Sequence, residues 1–237
     1  PDAGRRTLLP HLVAGLSHED ADVRQAIVAA LVRIGAPSIA PLSEYLQKSN
    51  EIGRTDAVRG LGMVIDRQRR RVLYNDATSE REFAAVAGPL IRQAFPALAS
   101  CLAAENASLR DAATLALAQG GSVATLQLLQ LLQSEDTQQK NSAAVALIRT
   151  EKFLPKQRPL PVNIQRVHGR IVDSLLKTLA RDDAVTQRSG VRLFVALNVG
   201  PEGAAARPYL ERALQTGDLA TRRYADIALK RIENTEQ

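Results

Sequence analysis

Apolar and polar positions along the 237-residue chain recur in six blocks. Each block begins with two leucines four apart: Leu12/Leu16, Leu42/Leu46, Leu98/Leu102, Leu128/Leu132, Leu175/Leu179 and Leu210/Leu214. Four residues later stands an Asp or Asn, at Asp20, Asn50, Asn106, Asp136, Asp183 and Asp218. Four further on comes a mostly basic position: Arg24, Arg54, Arg110, Lys140, Gln187 and Arg222. Seven beyond that, a large apolar residue returns at Leu31, Leu61, Leu117, Leu147, Phe194 and Leu229. Leucines four apart share one face of a helix, so each pair marks a first helix, A. The Asp or Asn is placed to cap a second helix, B, because its side-chain oxygen accepts an N–H that the first turn leaves unpaired. Residues three, six, seven and ten after the basic position then form the apolar stripe of helix B. Small residues at the third (Ala57, Ala113, Ala143, Gly190, Ala225) allow close helix approach. Pro10, Pro96 and Pro208 lie fourteen before the basic position, with Pro41 one off, and are expected in the first turn of helix A, where a missing N–H costs little.

The basic positions are 30, 56, 30, 47 and 35 residues apart. The unit is thus about 30 residues, with insertions expected at about 67–88 and 151–170. A helix pair of this size cannot bury a core alone, whereas stacked pairs share one. The predicted fold is all-α, an α-solenoid of about six antiparallel helix pairs forming a single domain over 1–237. The aromatic content, 4 Tyr and 4 Phe with no Trp, also favours helix over sheet. The chain starts at Pro1, and both terminal repeats keep the pattern of the middle ones, so the solenoid is expected to continue in a longer parent chain.

"DVRQAIVAALVRIG" (22–35) and "SLRDAATLALAQGG" (108–121) carry the repeat in full. The chain here resembles HEAT-type repeats, in particular the short HEAT-like repeats named after phycobilin lyases. The resemblance extends over essentially the whole chain and implies a superhelical binding scaffold whose B helices line the concave surface. It also implies a basic ladder bridging each repeat to the Asp or Asn of its neighbour. Tetratricopeptide units need a Trp/Gly/Tyr pattern that is missing, and an ankyrin-like "LLPHL" occurs once.

Catalytic chemistry finds little support. "HEDADVR" (18–24) holds His18, Glu19, Asp20 and Asp22, which alone suggests a metal or acid/base cluster. Only the Asp20 position recurs among the blocks, so capping explains it better, and acidic neighbours favour a helix start. The single His18-Glu19 pair does not support the iron chemistry of the HEAT-like deoxyhypusine hydroxylases. No phosphate loop, nucleophile triad or paired cysteine is present; Cys101 is the one cysteine and is expected to be buried. No catalytic residue, metal, cofactor or small-molecule substrate is assigned. Asp20, Asn50, Asn106, Asp136, Asp183 and Asp218 are read as structural caps.

Charge directs attention to surfaces. The net charge is +6, yet 152–170 alone holds five basic residues and no acid, leaving the repeat body almost neutral. The candidate partner-binding residues are Arg59 and Arg192, five after the ladder position, and Arg33, Arg149 and Arg231, nine after it. Arg69, Arg70 and Arg71 in the first insertion and Lys156 and Arg158 in the second join them. The expected function is a non-enzymatic protein–protein interaction scaffold. A nucleic-acid-binding module using the basic insertions ranks second, because the body is neutral and aromatic stacking platforms are scarce. A lyase-like or non-catalytic enzyme subunit, suggested by the repeat's family name alone, ranks third. No apolar run spans a membrane. The compartment is open, with the cytoplasm favoured over export.

Overall fold

A computed structural model describes residues 2–48, 52–73, 80–153, 172–180, 183–197, 199 and 201–236. The described residues contain helices and turns and no strand. Among the described residues twelve α-helices follow the predicted order of A and B. They are α1 (Asp2–Ala14), α2 (Ala21–Ile34), α3 (Ile39–Lys48), α4 (Arg54–Leu73), α5 (Glu80–Cys101) and α6 (Ala107–Ala118). Then come α7 (Gly121–Leu131), α8 (Thr137–Thr150), α9 (172–179), α10 (Ala184–Ala196), α11 (Arg207–Thr216) and α12 (Leu219–Glu236).

The chain forms two compact units, Pro1–Ala124 and Thr125–Gln237. In the first, each A helix packs on its own B helix, and like helices also stack: α1 on α3, α3 on α5, α2 on α4 and α4 on α6. In the second, α8 packs on α10, α10 on α12, and α11 on α12. This like-on-like stacking is how repeat proteins share one core between neighbours. The leucine pattern supplies that core. Leu16, Leu42, Leu46, Leu98, Leu102, Leu128, Leu132, Leu175, Leu179 and Leu210 are at most 1 % exposed. Leu31, Leu61, Leu117, Leu147 and Phe194 on the B helices are likewise buried. Burying each such side chain contributes roughly 1.5–3 kcal/mol. The stripe loosens at the two ends, where Leu12 is half-buried and Leu214 is 37 % exposed.

Local features set the helix limits. Gly35 ends α2 with φ 84°, a left-handed conformation that glycine adopts without Cβ cost, and its N–H closes on Leu31 O at 3.0 Å. One sequence expectation needs revision. Pro41 and Pro208 do occupy first turns, but Pro10 and Pro96 lie inside α1 and α5, because those A helices extend further upstream. Both prolines are exposed, so water can serve the carbonyls that lose their intrahelical donor. The first insertion is largely helix: α4 runs on to Leu73 and α5 starts at Glu80. The second insertion, apart from a 3-10 turn at Glu151–Phe153, lies outside the described residues from 154 to 171.

Candidate functional site

The turn between A and B is the most repetitive part of the structure. Asp20 Oδ1 accepts the N–H of Asp22 at 2.8 Å. Asn106, Asp136, Asp183 and Asp218 accept those of Leu109, Gln139, Thr186 and Thr221 at 2.8–3.2 Å. All five satisfy first-turn donors as N-caps do; Asn50 lies outside the described residues. His18 is absorbed into this turn, because its Nδ1 accepts the N–H of Asp20 at 3.1 Å. Ser134 Oγ does the same for Asp136 at 3.2 Å. Among the described residues no group of three or more His, Cys, Asp or Glu is arranged to hold a metal ion.

Two of the ladder arginines, Arg24 and Arg110, close the same turns. Arg24 Nη1 donates to the carbonyls of His18 and Glu19, both at 2.7 Å. Arg110 Nη1 donates to those of Ala104 and Glu105 at 2.7 and 2.6 Å. Arg24 also reaches the next repeat, with Nε 2.8 Å from Asp56 Oδ2. The resemblance implied a bridge to the neighbouring cap, but Asp56 lies two residues beyond Arg54 and is no cap. A bridge to a cap does occur elsewhere: Arg188, one residue after Gln187, pairs with Asp218. Thr221, through its hydroxyl and N–H, and then Arg188 hold the Asp218 carboxyl below the usual carboxylate range. At the far ends of the B helices, Arg67 Nη1 donates to Val32 O at 2.9 Å and Arg231 Nη1 to Val195 O at 2.6 Å. Each carbonyl belongs to a last helical turn, which lacks intrahelical donors and attracts cations.

The other predicted site residues divide by environment. Arg33 is exposed in the last turn of α2, and Arg149 is half-buried in that of α8. Arg59 is exposed and leans on Asp56 at 3.5 Å. Arg69 and Arg70 take the two oxygens of Asp66 at 2.6 and 2.7 Å, so their charge is partly met inside α4. Arg71 falls within α4, its side chain undescribed; Lys156 and Arg158 lie outside the described residues. Cys101 is fully buried, which pushes its thiol pKa up.

Two grooves run between neighbouring B helices. The first, about 460 Å³ between α4 and α6, is lined by Arg59, Met63, Asp111, Leu115 and Gln119 among others. Gly62 and Ala116 form its floor and let the helices approach closely. The second, about 620 Å³ between α10 and α12, is lined by Arg192, Leu219, Ala220, Arg223, Tyr224 and Ile227. Arg192 lies over the Tyr224 ring, 5.4 Å from its centroid, a cation–π arrangement. Sequence reasoning singled out Arg59 and Arg192 but passed over Met63, Leu219 and Tyr224. Their signal was present, since all three stand off the apolar stripe of their B helix.

Residues 2–72 match the family model described as HEAT repeats. Among curated proteins, none matches the chain significantly. Similar solved structures include an engineered protein from a structural genomics consortium, at 18% identity and TM-score 0.48, covering 96% of this chain and 97% of that one. A designed armadillo repeat protein shares 17% identity with TM-score 0.45, covering 94% and 99%. An archaeal HEAT-like repeats protein from Thermococcus onnurineus NA1 shares 14% with TM-score 0.42, covering 98% and 98%. No helix among the described residues is long and apolar enough to cross a membrane.

Proposed function

We propose that this chain, whose residues 2–72 match HEAT repeats, is a non-enzymatic scaffold that binds a protein partner along its B helices. The observation that carries the reading is the exposure of large apolar side chains on those helices. Met63 on α4 is 51 % exposed, Leu115 on α6 47 %, Val145 on α8 42 % and Leu219 on α12 80 %. Leu115 and Val145 hold the same place in their repeats, five after the ladder position, that Arg59 and Arg192 hold in theirs. Aliphatic groups edged with arginine are the composition of a protein-binding surface, where apolar burial supplies affinity and Arg anchors it. The pairing of Arg69 and Arg70 with Asp66 weighs against phosphate binding by that cluster.

The reading is tested with a photo-crosslinking amino acid placed singly at Met63, Leu115, Val145 and Leu219, and as controls at the exposed A-helix positions Gln47 and Gln93. Crosslinks to one protein from the B-helix set alone are the expected result. Crosslinks from the A-helix set instead, or to nucleic acid, would refute it.

A further inference from the structure

The two grooves differ in charge, and the difference points to the chemistry of a ligand. The α4–α6 groove is lined by one arginine and one acid, Arg59 and Asp111, and Arg59 already leans on Asp56. The α10–α12 groove is lined by two arginines and no acid. The acids nearest it in sequence are engaged: Asp218 pairs with Arg188, and Asp226 with Lys230 at 2.8 Å. Arg223 is exposed and has no ion-pair partner among the described residues. Beside these cations stand Leu219, 80 % exposed in the first turn of α12, and Ile227 about two turns further along the helix.

We propose that the groove between α10 and α12 is the docking site for an acidic segment of a partner protein. Resting on the scaffold reading above, this names the partner's chemistry and its seat. An apolar side chain of the segment packs against Leu219, Tyr224 and Ile227, while its carboxylates meet Arg192 and Arg223. The cation–π contact holds Arg192 in place before binding, so less freedom is lost when a carboxylate arrives. A peptide fits better than a nucleic acid. The guanidinium of Arg192 covers a face of Tyr224 on which a base would stack, and phosphates gain nothing from Leu219 and Ile227.

The test is fluorescence anisotropy on the full chain. The probes are a labelled peptide of leucine and glutamate at helical spacing, its lysine-for-glutamate counterpart, and a thymidine oligonucleotide. The acidic peptide is expected to bind, to weaken as salt rises, and to lose at least about tenfold in affinity with Arg223→Ala or Arg192→Glu. Gln47→Glu, at an exposed A-helix position, should leave binding unchanged. Arg223→Ala removes an exposed side chain that has no ion-pair partner among the described residues, and an unchanged thermal melt confirms that the variant is folded. Binding that survives Arg223→Ala but falls with Met63→Glu in the other groove overturns this site and leaves the B-helix reading standing. Equal binding of the lysine peptide, tighter binding of the oligonucleotide, or no peptide binding overturns the acidic-segment assignment. The wider scaffold reading fails separately, on the crosslinking pattern.

Discussion

Arg24 Nε sits 2.8 Å from Asp56 Oδ2, with side chains only 12 % and 15 % exposed, while Arg24 Nη1 serves the carbonyls of His18 and Glu19. One guanidinium therefore shuts the turn of its own repeat and fastens α2 to α4. Asp56→Ala leaves that half-buried charge without its acid. A loss of about 2 kcal/mol is expected, below the ~3–5 of a fully buried pair. Urea denaturation checks it, and the Arg24→Ala/Asp56→Ala double mutant should lose less than the sum of the two single changes. Additive losses would show that the two side chains do not interact.

The caps at Asn106 and Asp136 each hold a first-turn N–H of their own B helix. Asn106→Ala and Asp136→Ala should each cost about 1 kcal/mol, because each frees a first-turn N–H, of Leu109 or Gln139. Asn106→Asp should lie within a few tenths of wild type. Chemical denaturation of the three variants decides between capping and a chemical role, which the aspartate would not preserve by charge alone.

Close approach of α4 and α6 depends on Gly62. A Cβ there would lie 3.0 Å from Ala116 Cβ and 3.1 Å from Ala116 Cα. Gly62→Val should destabilise by about 1–3 kcal/mol through overpacking. Faster amide hydrogen exchange in α4 and α6 is the accompanying readout; a wild-type melt would mean the helices separate without cost.

Asp218 carries a pH signature. Its folded carboxyl is held low chiefly by Thr221, then by Arg188. Such a group stabilises the fold fully above its unfolded pKa, about 3.9, and the contribution disappears as pH falls through the lower folded value. Asp218→Asn keeps a capping oxygen but loses the charge. Its melting temperature should therefore lie below wild type at neutral pH, and the gap should close on acidification below about pH 4. A gap that stays constant with pH would exclude ionisation as its cause.

Much of this was legible in the sequence, for physical reasons. Leu16, Leu46 and Leu102 recur because each must reach the shared core, and Asp20, Asn106 and Asp136 recur because each B helix needs a cap at its start. Periodic demands leave periodic residues. The partners of the ladder were not legible, because acids are not repeated at one place. Asp56 follows Arg54 by two residues, whereas Asp218 precedes Arg222 by four, and only folding shows that each serves an upstream arginine. Arg231 looked like a surface cation, yet it reaches a main-chain carbonyl, an acceptor with no sequence signature. The extra residues of the first insertion carried helix-forming arginines, and most extend α4 and α5.

The two kinds of fastening between B helices have different consequences for exchanging repeats. Arg67 and Arg231 grip backbone carbonyls, at Val32 and Val195, which any replacement repeat would supply. Arg188 grips Asp218, a capping position filled by Asp or Asn in every block, so a substitute offers a matching oxygen there too. Arg24 differs, because Asp56 is a private choice of the second repeat. A chimera that swaps the second repeat must bring an acid at that place or lose the joint, whereas a graft behind α10 carries its own socket. Modularity is therefore uneven among these joints, since that of Arg24 depends on one particular aspartate.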